Sequence, residues 1–247
     1  MVITIDPMPR SGTDGGNSFM KTDKLILGVP KGRVMNDTRR LFDRSGIDLS
    51  ISRKDERAIF ADTSRADLTL CPVRSSDIPL LLEEGVLDIA VLGGDVIAEA
   101  ANLSFGSKRD LDICKCRLSV IGLPGAFVSR TYIRRPRVAT KYPRIAREYF
   151  ERQGCAPDIV KMYGSVELAL LAGMAHFVVD IVDTGATIAR NNLRELEVIQ
   201  KTGAIALISH RTTGARRQRC HDLLSHILDA PHSLRRSAPA MSEEAIL

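Results

Sequence analysis

A chain of 247 residues, 44% hydrophobic and 26% charged, is long enough to bury one large core or two smaller ones and lacks the low-hydrophobicity, high-charge balance of a disordered polymer. No run approaches the ~20 apolar residues that span a bilayer, and the N-terminus lacks the basic and apolar blocks of an export signal, so neither a membrane nor an exported protein is expected. The formal charge of +5 suits an anionic partner, but 4% aromatic content leaves little for base stacking and the cations are dispersed, which favours a small phosphorylated ligand over nucleic acid.

Residues 1–23 are rich in Gly, Ser, Asp and Pro without any period and read as a flexible extension. Lys24 to Pro30 is a short apolar strand, followed by the charged turn Lys31-Gly32-Arg33. Val34, Thr38, Leu41 and Phe42 then recur at helical spacing, and Ser45-Gly46 supplies a left-handed stop. The same rhythm returns with a strand at Asp67–Val73, a helix at Asp77–Glu84 and a strand at Leu87–Leu92 that runs into Gly93-Gly94-Asp95 and a further helix. Another strand at Arg137–Lys141 leads into a helix bearing Ile145, Ala146, Tyr149 and Phe150, closed by Gly154. A strand at Asp158–Met162, a helix at Val166–Leu171 and an apolar strand at Phe177–Val182 come next. Leu193–Gln200 and Ala204–Ser209 read as consecutive strands, then Leu223, Leu224, Ile227 and Leu228 mark a last helix, and the residues from Pro231 onward read as a polar tail. Strands alternating with helices through short loops predict an α/β fold with mostly parallel sheets.

The five cysteines, Cys71, Cys114, Cys116, Cys155 and Cys220, are odd in number and scattered, which fits a reducing cytoplasm. Cys114-Lys-Cys116 has no second pair at zinc-like spacing and reads as two residues on one face of a strand.

The sharpest chemical signal is Asp180-Ile-Val-Asp183-Thr184-Gly185-Ala186-Thr187, where an apolar strand ends in acids and a Thr-Gly-Ala-Thr turn opens a helix. Such a turn aims several backbone N–H groups at one point, at a helix N-terminus, and so grips a phosphate monoester. Gly185 permits close approach, and Thr184 and Thr187 add hydroxyl donors. Asp180 and Asp183 would repel a phosphate and suit sugar hydroxyls or Mg²⁺ instead. Phosphoribosyl pyrophosphate (PRPP) offers all three partners; the competing reading is a capped helix with Asp183 or Thr184 as N-cap.

Together with its neighbours this loop resembles that of the ATP phosphoribosyltransferases. The likeness extends through Val29-Pro30-Lys31-Gly32-Arg33, Arg74-Ser-Ser-Asp77-Ile-Pro79, Asp88-Ile-Ala-Val-Leu-Gly93, Cys116-Arg117-Leu118, Arg137-Val-Ala-Thr-Lys141-Tyr-Pro143 and Tyr163-Gly-Ser165-Val-Glu167, in family order from about Lys24 to His210. The resemblance implies a two-lobed fold of the periplasmic-binding-protein type with the active site in the cleft, divided as 24–110 plus 201–230 and 111–200. It implies transfer of the phosphoribosyl group of PRPP to N1 of ATP with release of pyrophosphate, the first step of histidine biosynthesis, with Mg²⁺. Asp180, Asp183, Thr184, Gly185, Ala186 and Thr187 would bind PRPP, with Asp180 and Asp183 assisting the metal. Lys31, Gly32, Arg33, Arg53, Arg57 and Arg74 would steady ATP or pyrophosphate, and Lys141 and Glu167 would support the phosphate loop. No Ser, Cys or His nucleophile is expected, because positioning and electrostatics carry such a displacement. The short tail resembles the family's short form, which implies a homodimer working with a separate regulatory subunit resembling histidyl-tRNA synthetase. The competing functions are a non-catalytic two-lobed ligand-binding protein and another PRPP-dependent transferase.

Overall fold

Apolar runs bracketed by turn residues fold into two helix-covered β-sheets in the computed structural model, which describes residues 23–49, 59–126 and 134–230. Arg53 and Arg57, most of the N-terminal extension and the tail lie outside these residues. The chain first lays down β1 (Leu25–Pro30), α1 (Arg33–Arg44), β2 (Ala61–Asp62), β3 (Leu68–Val73), α2 (Ile78–Glu83), β4 (Ile89–Gly93), α3 (Gly94–Ala100) and β5 (Ser107–Asp110). It then builds β6 (Cys116–Gly122), β7 (Arg137–Thr140), α4 (Pro143–Arg152), β8 (Asp158–Lys161), α5 (Leu168–Leu171), β9 (Phe177–Val182), α6 (Ala186–Arg190) and β10 (Arg194–Thr202). Finally β11 (Ala204–Ile208) and α7 (Gly214–Asp229) return to the first group.

The first sheet has the order β2-β3-β1-β4-β11-β5 and the second β10-β6-β9-β7-β8. Both are mixed. β3, β1 and β4 run parallel in one, with antiparallel strands on both sides, and β8, β7 and β9 in the other, with antiparallel β6 and β10 beyond β9 and β8 at the edge.

Every residue of β1 is buried, because helices cover both faces of its sheet. Leu25, Leu27 and Val29 point into a core shared with Leu41 and Phe42 of α1 and Leu223 and Ile227 of α7, whereas Ile26 faces Ile78 and Leu82 of α2. Gly28 is required by space: a Cβ there would sit 2.4 Å from Leu87 Cδ1. In the second sheet Phe177 and Val179 pack on Ile145, Tyr149 and Phe150 of α4, while Val178 and Val182 pack on Ala169 and Leu170 of α5.

Two strands fall where the hydrophobic pattern is silent. β2 is two residues long, and β5 reads Ser-Lys-Arg-Asp; both are edge strands whose backbones are held by an inner neighbour, so no apolar alternation is needed. The expectation for Cys114 is corrected. Its φ is 53°, as Asp112 has 55°, so it sits in the turn that carries the chain between sheets, and β6 begins only at Cys116. That crossover is clasped to the returning chain, with Ala204 N donating to Ile113 O at 2.9 Å and Leu111 N to Ala204 O at 3.1 Å. Among the described residues no helix is long and apolar enough to cross a membrane.

The ends of the described chain meet at Asp88. Its buried carboxylate accepts hydrogen bonds from Ile26 N (2.8 Å), Thr212 Oγ1 (3.1 Å) and Arg216 Nε and a terminal guanidinium nitrogen (2.6 Å each), and Arg216 also donates to Lys24 O. Removing one partner of such a pair strands the other, so Asp88→Ala is expected to lower unfolding free energy by about 3 kcal/mol in urea titration. A loss below about 0.5 kcal/mol would contradict this account of the pair.

Candidate active site

The C-terminal ends of the parallel strands in both sheets carry the polar turns, the usual place for ligands in open α/β sheets. On the first sheet, Pro30 and Val73 are register partners, so Lys31-Gly32-Arg33 and Arg74 emerge side by side, and Asp95 follows the end of β4. On the second, Lys141 follows β7 and Asp183 follows β9. Arg33, at the start of α1, reaches across to the carboxylate of Asp183 and donates to Cys114 O at 3.1 Å. Burial works against its charge, but the hydrogen bond and charge of Asp183 outweigh it and hold the guanidinium above its ordinary pKa.

Asp183 is gripped a second time, through its backbone. Arg117 of β6 donates to Asp183 O at 3.0 Å while a bidentate pair with Glu195 of β10 (2.5 Å each) fixes the guanidinium plane, and Ser119 Oγ donates to the same Glu195 at 2.7 Å. Thr184 follows, its Oγ1 accepting from Ala186 N at 3.3 Å, and Gly185 adopts φ 79° as the N-cap of α6. That left-handed backbone is where glycine is favoured. Thr184, Ala186 and Thr187 are exposed, so the turn presents its polar groups to the solvent.

Asp180 lies three residues earlier and deeper. Burial pushes its carboxyl above the ordinary aspartate range; Lys141 and the Ile181 amide draw it back, and the charges of Glu167 and Asp95 add to the rise. Lys141 and Glu167 therefore converge electrostatically on the acid at the end of β9. Asp180 and Asp183 offer only oxygen donors, which fits Mg²⁺, an ion bound through one or two carboxylates plus substrate phosphates. Among the described residues no group of three or more His, Cys, Asp or Glu side chains could hold a metal by itself, so substrate oxygens would complete such a site.

The sequence reading missed Arg117, Glu195, Asp95 and Tyr142. Arg117 and Glu195 sit on strands 78 residues apart, and their pairing follows from strand order, which the pattern does not encode. Asp95 carried a signal, being the acid that follows a double glycine at a strand end. Tyr142 donates its hydroxyl to Asp95 Oδ2 at 2.7 Å, joining the two sheets' turns at a second point. Burial, then Asp95 and Asp180, raise the phenol's pKa, so it remains a donor.

The family model for HisG, ATP phosphoribosyltransferase, matches residues 74–229. An ATP phosphoribosyltransferase from Halorhodospira halophila is 42% identical over 175 residues, covering 71% of this chain and 80% of the relative. Among solved structures, the ATP phosphoribosyl transferase (HisG:HisZ) complex from Thermotoga maritima superposes with a TM-score of 0.70 at 28% identity, over 83% of this chain and 98% of that one. The periplasmic aliphatic sulphonate binding protein SsuA from Escherichia coli matches at a TM-score of 0.53 and 11% identity, over 83% of this chain and 71% of that one, a likeness of fold alone. The strand-end turns thus sit in the cleft of a two-lobed periplasmic-binding-protein-like fold, and the chain belongs to the ATP phosphoribosyltransferase family.

Proposed function

We propose that the chain carries out its family's reaction, displacement of pyrophosphate from C1 of PRPP by N1 of ATP, with Thr184–Thr187 on the 5-phosphate and Asp180 and Asp183 toward the ribose hydroxyls or Mg²⁺. The observation that carries this placement is the exposed Thr-Gly-Ala-Thr turn, held from below by Arg117 and faced across the cleft by Arg33. The Arg33 and Asp183 side chains are 41% and 49% exposed, so an incoming phosphate can compete for that guanidinium. Lys31 and Arg74, beside it on the adjoining strand ends, form the matching cationic rim for ATP or the departing pyrophosphate, with Gly32 giving backbone access between Lys31 and Arg33. Arg53 and Arg57 belong to the same proposal by family likeness.

Displacement with a cation-like sugar needs an aligned nucleophile and a neutralised leaving group, and no covalent intermediate. Asp180 would orient the ribose, with Lys141 and Glu167 setting its field, while the loop amides and Thr hydroxyls anchor the far end of the sugar. Mg²⁺, when bound by Asp180 or Asp183, supplies charge neutralisation on the pyrophosphate. The cytoplasm, where ATP and PRPP are made, is the expected compartment. We further propose a homodimer that works with a separate regulatory chain resembling histidyl-tRNA synthetase, a reading supported by the two-component complex of the Thermotoga relative.

Incubation with PRPP, Mg²⁺ and either ATP or a free purine base tests the reaction: pyrophosphate is released with ATP alone, and release with the base would point to a salvage transferase. Histidine at physiological concentration is expected to leave the isolated chain uninhibited, and strong inhibition without a partner would contradict the separate-regulator reading.

Asp180→Asn separates the site from the scaffold. An acid whose folded pKa is raised contributes stability below its unfolded value, and that contribution is lost as pH rises through the folded one. Replacing the buried charge with a neutral amide therefore removes a cost that is fully present at pH 8. The variant's Tm at pH 8 should equal or exceed the native value while PRPP affinity in calorimetry falls at least about tenfold. Native PRPP binding would remove Asp180 from the site.

A further inference from the structure

Beyond the strand-end turns, two carboxylates on α3 hold the start of α4, a helix of the other sheet. Asp95 accepts from the Tyr142 hydroxyl at 2.7 Å. One turn further along α3, the two carboxylate oxygens of Glu99 accept from Arg144 N at 2.9 Å and Ile145 N at 3.1 Å, and Arg144 Nε donates to Glu99 O at 3.1 Å. The first amides of a helix have no partner within it. In α4 the N-cap Tyr142 makes no side-chain cap of its own, so a carboxylate from the opposite lobe does the capping.

The geometry of α3 is built around this contact. A Cβ on Gly93 would lie 2.1 Å from Asp95 Oδ1, although φ there is an ordinary −67°. A side chain there would press on the Asp95 carboxylate, which folds back over the strand end. A Cβ on Gly94 would meet Thr202 Oγ1 at 2.8 Å, beside the crossover. Asp95 is buried, at 7% exposure, and the Tyr142 hydroxyl donates to it there.

What the contact positions is the turn between β7 and α4. Thr140 Oγ1 donates to Val179 O at 2.7 Å and accepts from Tyr142 N at 2.9 Å. Thr140 is thus tied to β9 and Tyr142 to α3, with Lys141 between two fixed points, and the charge of Lys141 acts on Asp180.

We propose that Asp95 and Glu99 form an inter-lobe latch whose grip on Tyr142–Ile145 sets Lys141 against Asp180, making Tyr142 and Asp95 positioning residues for the phosphoribosyl side of the cleft. The proposal rests on the assignment of Asp180 to the PRPP site. Tyr142→Phe keeps the ring and removes one hydroxyl, and Asp95→Asn removes the acceptor charge. Each is expected to raise the PRPP KM by about threefold or more while the ATP KM moves less than about twofold, and the double variant is expected to be no worse than the poorer single one. Equal rises in both KM values, or multiplying effects in the double variant, would overturn it.

A second measurement does not depend on the substrate. In Glu99→Gln, hydrogen exchange at the Arg144 and Ile145 amides should quicken by about tenfold or more relative to the Ala169 amide in the same lobe. Unchanged exchange would sink the latch even if the kinetics conformed. Native PRPP binding by Asp180→Asn alongside quickened exchange would instead locate the error in the Asp180 assignment and leave the latch standing.

Discussion

Charges at the ends of parallel strands confront one another across the cleft, and most of what the molecule does follows from how those charges are held apart and together. Arg33 from one sheet meets Asp183 from the other, and Tyr142 meets Asp95 in the reverse sense. Strand direction fixes this. Because β1, β3 and β4 run parallel, as do β7, β8 and β9, each sheet delivers its polar turns to a single edge. The crossover clasp at Leu111, Ile113 and Ala204 joins the two sheets beside these turns.

Within that arrangement the acids have unequal burdens. Asp183 is exposed and compensated by Arg33 directly, with its carbonyl fixed by Arg117. Asp180 is deeper and desolvated, and Lys141 and a backbone amide offset that cost. A protein selected for stability alone would not retain a charge there, and in the proposed function that cost serves as a fixed acceptor for the ribose hydroxyls. The Thr-Gly-Ala-Thr turn next to it follows the opposite logic: the backbone leading into it is pinned by Arg117, and Thr184, Ala186 and Thr187 stay exposed.

Much of this was legible in the residues. The apolar runs at Leu25–Pro30 and Phe177–Val182 named the central strands, Gly46 and Gly154 adopt the left-handed stops their positions promised, and the Thr-Gly-Ala-Thr turn opens α6. What escaped depends on three-dimensional neighbourhood. β5 has no apolar pattern because an edge strand borrows its order from β11. The turn conformation of Cys114 reflects the passage between sheets, where alternation stops predicting direction. Arg117, Glu195 and Tyr142 look like ordinary strand and helix-start residues until strand order brings them to their partners.

The second sheet is drawn from one uninterrupted stretch, β6 to β10, while the first needs β11 and α7 from the far end of the chain. On a ribosome, β4 therefore emerges long before the strand that covers its edge, and Asp88 waits for Arg216 across 128 residues. The later-made lobe is complete while the earlier one still lacks its closing strand and helix. Completion of the lobes thus runs against reading order, and the β4 margin stays an unpaired strand edge until β11 has been made.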